Sequence, residues 1–306
     1  MRPSPTCALL ALPLLLTAAA PPAPQGTAGT APPMLLRQLV SDGMDRYARV
    51  HVPAGWDGVS PLPVVLAFHG GGGNAVQFAD HTRMDLTADR EGFLLVYPEG
   101  TGPLSAFGRF RLQTWNVGNC CGWAEENAID DVRFVRDLLA ALGQEWPLDR
   151  DHVYATGHSN GGMMSYRLAM EAPDLVAAIA PNAASLGLDG MPPSPVPILA
   201  LHGKLDTNVP VAGGVGTGVS GVAFKSQKAS LAPFAAVNLT LPPVLAETRG
   251  QALRYEAAAP GTGAPIHYWF LLDGAHSWPG HDGPRWRAVN RDIDANDEIW
   301  SFFSRF

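Results

Sequence analysis

Apolar runs and apolar residues recurring every three or four positions divide this chain into alternating strands and helices. Leu36 to Val40 and Tyr47 to Pro53 read as short strands, the second alternating in residue type, and a turn-rich Gly55-Trp56-Asp57-Gly58 follows. Pro63-Val64-Val65-Leu66-Ala67-Phe68 is unbroken apolar sequence, the pattern of a parallel strand buried on both faces. Gly92 to Gly100, Val153 to Thr156, Leu175 to Pro181, Ile198 to Leu201 and His267 to Leu272 read as further strands. Ile129, Val132, Val135, Leu138, Leu139 and Leu142 recur at helical spacing, and Asp130 and Asp131 at the start of that stretch are read as capping residues that favour the helix dipole. Shorter helical stretches cover Met163 to Met170, Ser226 to Asn238 and Ile293 to Phe303. This alternation predicts an α/β domain on a mostly parallel sheet flanked by helices.

Composition narrows the class. In 306 residues, 46% are hydrophobic and 16% charged, which excludes a disordered chain, and a net charge of -7 leaves no basic footprint for nucleic acid. The 33 glycines and 28 prolines show no three-residue period and point to many tight loops. Arg2, the apolar run Ala8 to Ala20 and the small residues and prolines after it have the pattern of a secretory signal, with cleavage expected between Ala20 and Gly29. The run is too short to span a bilayer, so no membrane anchor is expected in the mature form. Residues 1–24 are read as signal peptide, 25–34 as a flexible leader and 35–306 as one catalytic domain.

The chemistry centres on Gly157-His158-Ser159-Asn160-Gly161, which lies between an apolar strand and a helical stretch. Strand, G-x-S-x-G, helix is the context of a nucleophile elbow, in which the serine occupies a turn too tight for bulk two residues to either side. Upstream, His69-Gly70-Gly71-Gly72-Gly73-Asn74 follows a core strand, so its backbone N–H groups are unobstructed and can form an oxyanion hole with the amide of Asn160; Gly71 is the expected donor. Asp206 follows the strand Ile198 to Leu201, and His276 lies after the last strand, completing the order Ser, acid, His. Asp189 and Asp273 compete for the acid's role. Neither C-x-x-C nor H-E-x-x-H spacing occurs, so no metal is expected.

The long loop Thr101 to Glu126 carries Trp115, Cys120, Cys121 and Trp123 and is placed at the rim of the site. With Cys7 in the signal, Cys120 and Cys121 can pair only with each other, in a strained vicinal disulfide, or stay reduced. Trp115, Trp123 and Trp278 are candidate substrate-binding residues for a ring or a sugar, or else buried loop anchors.

Gly157-His158-Ser159-Asn160-Gly161-Gly162-Met163-Met164, Leu201-His202-Gly203-Lys204-Leu205-Asp206, His276-Ser277-Trp278-Pro279-Gly280 and the loop from Trp115 to Gly122 resemble the secreted polyhydroxybutyrate depolymerase-like esterases, relatives of bacterial feruloyl esterases. The resemblance covers roughly residues 35 to 306. It implies an α/β-hydrolase fold without metal or cofactor and a serine esterase acting on oligomeric or small esters of hydroxyalkanoates. A feruloyl or acetylxylan-type carbohydrate esterase is the alternative, with a serine peptidase and a non-catalytic binding protein on the same scaffold behind it. The segment Ser230 to Gly263 matches the family less closely, and no separate substrate-binding domain is expected after the catalytic region.

Overall fold

The computed structural model describes residues 34–103, 112–218, 220–281 and 288–306. The expected signal peptide and leader lie outside the described residues. Twelve strands and seven α-helices follow one another as β1 (Leu35–Ser41), β2 (Met44–His51), β3 (Leu62–Phe68), α1 (Ala75–Thr82), α2 (Met84–Glu91), β4 (Leu94–Pro98), α3 (Gly122–Glu126), α4 (Asp131–Glu145), β5 (Leu148–His158), α5 (Asn160–Glu171), β6 (Ala178–Asn182), β7 (Ile198–Gly203), β8 (Gly214–Val215), β9 (Ala223–Phe224), α6 (Gln227–Val237), β10 (Val244–Arg249), β11 (Ala252–Ala257), β12 (Ile266–Leu271) and α7 (Ala295–Phe303) among the described residues.

Ten of these strands form one sheet in the order β1-β2-β4-β3-β5-β6-β7-β12-β11-β10, while β8 and β9 pair apart from it. The central six, β4 to β12 in that order, run parallel. Antiparallel strands extend both edges. The unbroken apolar runs are explained by this placement, because a central strand is covered on both faces and has no solvent side to mark with polar residues. Successive residues of β3 serve different layers: Val64, Leu66 and Phe68 join Phe134, Leu138, Met163 and Phe234 on one side. Val65 and Ala67 join Phe78, Tyr97, Trp278 and Phe303 on the other. Each fully buried large apolar side chain of these layers contributes about 1.5–3 kcal/mol. Among the described residues the architecture is a single α/β-hydrolase domain.

Several elements differ from the sequence expectation. The strand expected at Leu175 to Pro181 begins at Ala178, because Pro173–Leu175 turns as a 3₁₀ segment first. The β10–β11 hairpin has no clear apolar alternation, being an edge element whose Val244 and Leu245 are 63% and 53% exposed. At α4, Asp130 caps as expected, its side chain accepting from Arg133 N at 2.9 Å. Asp131 does not cap. It is fully buried and pairs with Arg46 at 2.7 Å, while its other oxygen accepts from Asn116 N at 2.8 Å. This carboxylate therefore ties the N-terminal sheet edge to the cysteine-bearing loop.

Candidate active site

The parallel strands β5, β7 and β12 deliver Ser159, Asp206 and His276 at their carboxyl ends, where the loops of an open α/β sheet form a crevice. Ser159 has φ 56° and ψ −123°, a conformation that costs a non-glycine residue about 1–3 kcal/mol and is tolerated only where the surroundings impose it. The surroundings do so here. A Cβ at Gly157 would lie 2.6 Å from the carbonyl oxygens of both Gly161 and Phe68, and one at Gly161 would collide with the Phe68 oxygen. Ser159 N donates to Asn182 O at 2.9 Å, and its own carbonyl accepts the first helical bond of α5 from Met163 N at 2.9 Å. The turn is thus locked between β6 and α5.

Asp206 and His276 meet through a bond of 2.8 Å between Nδ1 and Oδ2. Their loops are sewn together by Lys204 N to Leu271 O at 2.8 Å and Leu205 N to Gly274 O at 2.9 Å. Gly203 permits that approach, since a Cβ there would run into the Gly274 and Ala275 carbonyls. The second carboxylate oxygen, Oδ1, accepts from Asn208 N and Val209 N, both at 2.9 Å. Burial alone would raise the proton affinity of Asp206, yet hydrogen bonds from His202 and His276 and their charge hold it well below the usual carboxylate range. The competing acids are used elsewhere: Asp189 is almost fully exposed and pairs with Lys225 at 2.7 Å, and Asp273 accepts from Asn290 Nδ2 at 2.7 Å.

Two residues that the sequence did not single out join serine and histidine. The His158 ring lies 4.5 Å from the His276 ring, centre to centre. Asn182 Nδ2 donates to His158 Nδ1 and to Ser277 O, each at 2.9 Å, so one carboxamide holds the elbow and the histidine loop in register. A polar residue at the carboxyl end of a core strand was the available signal for Asn182.

The glycine loop is equally constrained. His69 accepts from Gly100 N through Nε2 at 3.0 Å, so its proton sits on Nδ1, which faces Gly70 O at 2.9 Å. The Gly72 and Gly73 amides are engaged by Gln113 O at 2.8 Å and Gly70 O at 3.1 Å. Gly71 lies beside the elbow, where an added Cβ would stand 3.5 Å from Asn160 Cβ. The Asn160 side chain spans the Trp115 backbone, accepting from its N at 2.7 Å and donating to its O at 3.0 Å.

Burial pushes the His69 ring down to about 4 from 6.5, and does the same to His267. Between those values the unfolded chain takes up protons that the folded chain refuses, so stability falls as pH drops from 6.5 towards 4, by about 3 kcal/mol for His69 alone. Urea midpoints at pH 7 and pH 4.5 are expected to show this loss; equal midpoints would contradict it.

The tryptophans require correction. Trp115 and Trp278 offer no surface to a substrate, since both are 0% exposed. Trp115 donates from Nε1 to His69 O at 3.0 Å and meets Phe68 edge-on, and Trp278 donates to Asn296 Oδ1 at 3.0 Å and meets Phe78 edge-on. They anchor the loops beneath the site. Trp123, on α3, is half-buried. Cys120 and Cys121 lie side by side with their sulfurs in contact, across a cis peptide bond.

Residues 46–191, which include the glycine loop, the cysteine loop and the elbow, match the family model described as esterase PHB depolymerase. A protein of Nocardia uniformis subsp. tsuyamanensis named "Putative esterase NocK" is 28% identical over 272 residues, covering 83% of this chain and 76% of that one. Feruloyl esterase B of Piromyces equi is 31% identical over 202 residues, 63% of this chain, which spans only 35% of that longer protein. Among solved structures, an acetyl xylan esterase from Aspergillus awamori superposes with a TM-score of 0.60 at 14% identity, over 88% of this chain and 99% of that one. The match over residues 46–191 and the relatives named esterases make the protein a carboxylic ester hydrolase. No helix among the described residues is long and apolar enough to cross a membrane.

Proposed function

We propose that this PHB depolymerase-like esterase cleaves its substrate through a Ser159, His276 and Asp206 triad. The observation that carries the reading is the bond of 2.8 Å from His276 Nδ1 to Asp206, on a histidine packed against the residue preceding Ser159. A serine hydroxyl is a poor nucleophile until a base takes its proton. His276 accepts that proton as Ser159 Oγ bonds to the acyl carbon, then returns it to the alcohol oxygen as the ester C–O bond breaks. Water repeats the sequence on the acyl-enzyme and releases the acid. Asp206 holds the ring and stabilises the imidazolium. The amides of Gly71 and Asn160 face the developing oxyanion, and each donor of this kind contributes about 100- to 1000-fold in turnover.

For the substrate, the name of the Piromyces relative favours feruloyl esters, and the family model favours hydroxyalkanoate esters. Turnover of methyl ferulate, para-nitrophenyl acetate and butyrate, and a soluble 3-hydroxybutyrate oligomer separates these, with Ser159→Ala as control. Preference for methyl ferulate supports the first reading and preference for the oligomer the second. Cleavage of aminoacyl amides in place of all four would point to a peptidase.

The N-terminal pattern of residues 1–24 supports export of the chain, and export in turn supports a vicinal disulfide between Cys120 and Cys121. The processed protein, denatured without reductant, is expected to show no free thiol and, after reduction, two. Two thiols before reduction would contradict the pairing.

A further inference from the structure

His202 is a second histidine on the triad's acid. It is the penultimate residue of β7, four residues before Asp206, and is 1% exposed. Its Nε2 lies 3.3 Å from Asp206 Oδ2, the oxygen that His276 also uses, and 2.8 Å from Val209 O. Both neighbours of Nε2 are acceptors, so Nε2 must carry a proton. On the far side, Nδ1 lies 2.8 Å from Gln227 Oε1, and Gln227 Nε2 donates to the Tyr166 hydroxyl at 3.0 Å. Gln227 Oε1 accepts from His202 Nδ1, and His202 Nε2 donates to Val209 O and Asp206 Oδ2. His276 Nδ1 donates to that same Oδ2. Nothing in the ester chemistry uses His202, Gln227 or Tyr166.

We propose that His202 is a positioning residue for ester hydrolysis: by donating to Asp206 Oδ2 it fixes the carboxylate's orientation and limits the negative charge that Asp206 presents to His276. The inference rests on Asp206 being the triad's acid. Asp206 receives four donors, Asn208 N and Val209 N on Oδ1 and the two histidines on Oδ2. Removing one of the Oδ2 donors leaves more charge for the other, so His276 keeps its proton to higher pH and works as a base over a narrower range. The ionisable groups facing this cluster are His158 from the elbow, against His276, and Tyr166 from α5, through Gln227 of α6.

The test compares His202→Leu and His202→Gln with the unmodified enzyme, following the acid limb of kcat/KM against pH and the separate kcat and KM values. His202→Leu is expected to raise the acid limb by about 0.5–1 pH unit, in line with loss of one hydrogen bond to a carboxylate. It should lower kcat roughly tenfold, the order found when a residue orienting a functional ligand is removed, with KM little changed. His202→Gln, which can keep an N–H aimed at Oδ2, is expected to restore the limb. An unshifted limb in folded His202→Leu overturns the proposal. Nitrogen-15 spectra of histidine-labelled wild-type protein at pH 8 need no variant: a proton on His202 Nε2 supports it, and an unprotonated Nε2 overturns it. Asp206→Asn in the same assays separates the two levels. Full activity there sinks the triad reading itself, whereas lost activity there with an unmoved limb in His202→Leu sinks only the role of His202.

Discussion

Replacing Ser159 with alanine is expected to lower kcat by roughly 10⁵- to 10⁶-fold on any ester the enzyme accepts, with KM little changed and circular dichroism unaltered. The loss is large because serine, histidine and acid act as one unit, so removing the nucleophile forfeits the whole of their contribution. The glycine loop and the Asn160 amide would remain, and the residual rate would reflect their hold on the oxyanion. The strained backbone of Ser159 adds a second, independent expectation. Glycine adopts φ 56° without the steric penalty, so Ser159→Gly should be as inactive as Ser159→Ala yet more stable by about 1 kcal/mol. A urea midpoint for Ser159→Gly at or below that of the wild type would contradict the idea that the elbow stores strain for function.

The largest effect on stability is expected at the buried ion pair. Asp131→Ala leaves the Arg46 guanidinium enclosed over the Phe134 ring, 3.8 Å from its centre, without its carboxylate, and strips Asn116 N of its acceptor. Removing one partner of such a pair costs about 3–5 kcal/mol, because the other charge stays buried and unpaired. For a domain of this size that corresponds to a fall of roughly 6–20 °C in melting temperature. Replacing both partners, as Arg46→Met with Asp131→Leu, should recover most of the loss, since no charge is then left uncompensated. A scanning calorimetry series of the single and double variants checks both statements. A single variant that melts within 2 °C of wild type would contradict them.

Much of this arrangement was legible in the sequence because the physics that imposes it is local. The glycines at 157 and 161 are forced by backbone carbonyls within one turn, and the apolar runs of β3 and β7 are forced by burial on both faces. The positions of Asp206 and His276 followed from strand ends and chain order. What the sequence did not disclose depends on contacts between segments far apart along the chain. Asp131 looked like a capping residue because capping is a relation between neighbours, and its partner Arg46 stands 85 residues away on β2. Trp115 and Trp278 looked available to a substrate because loop residues usually face solvent, whereas here the loops fold over them and satisfy their indole N–H groups inside. Asn182, which holds His158 and the Ser277 carbonyl together, carries no motif at all. The β10–β11 hairpin leaves no mark in the sequence because an exposed edge pair needs no apolar face.

The central claim is that Ser159 is the activated nucleophile. Reaction of the purified protein with a fluorophosphonate probe at pH 8, followed by peptide mass spectrometry, tests it directly. One equivalent of probe should appear on the peptide containing Gly157 to Gly161, on Ser159, and should vanish in His276→Ala, where the base is missing. Labelling of a different serine, or an enzyme that hydrolyses esters while Ser159 stays unmodified, would contradict the account.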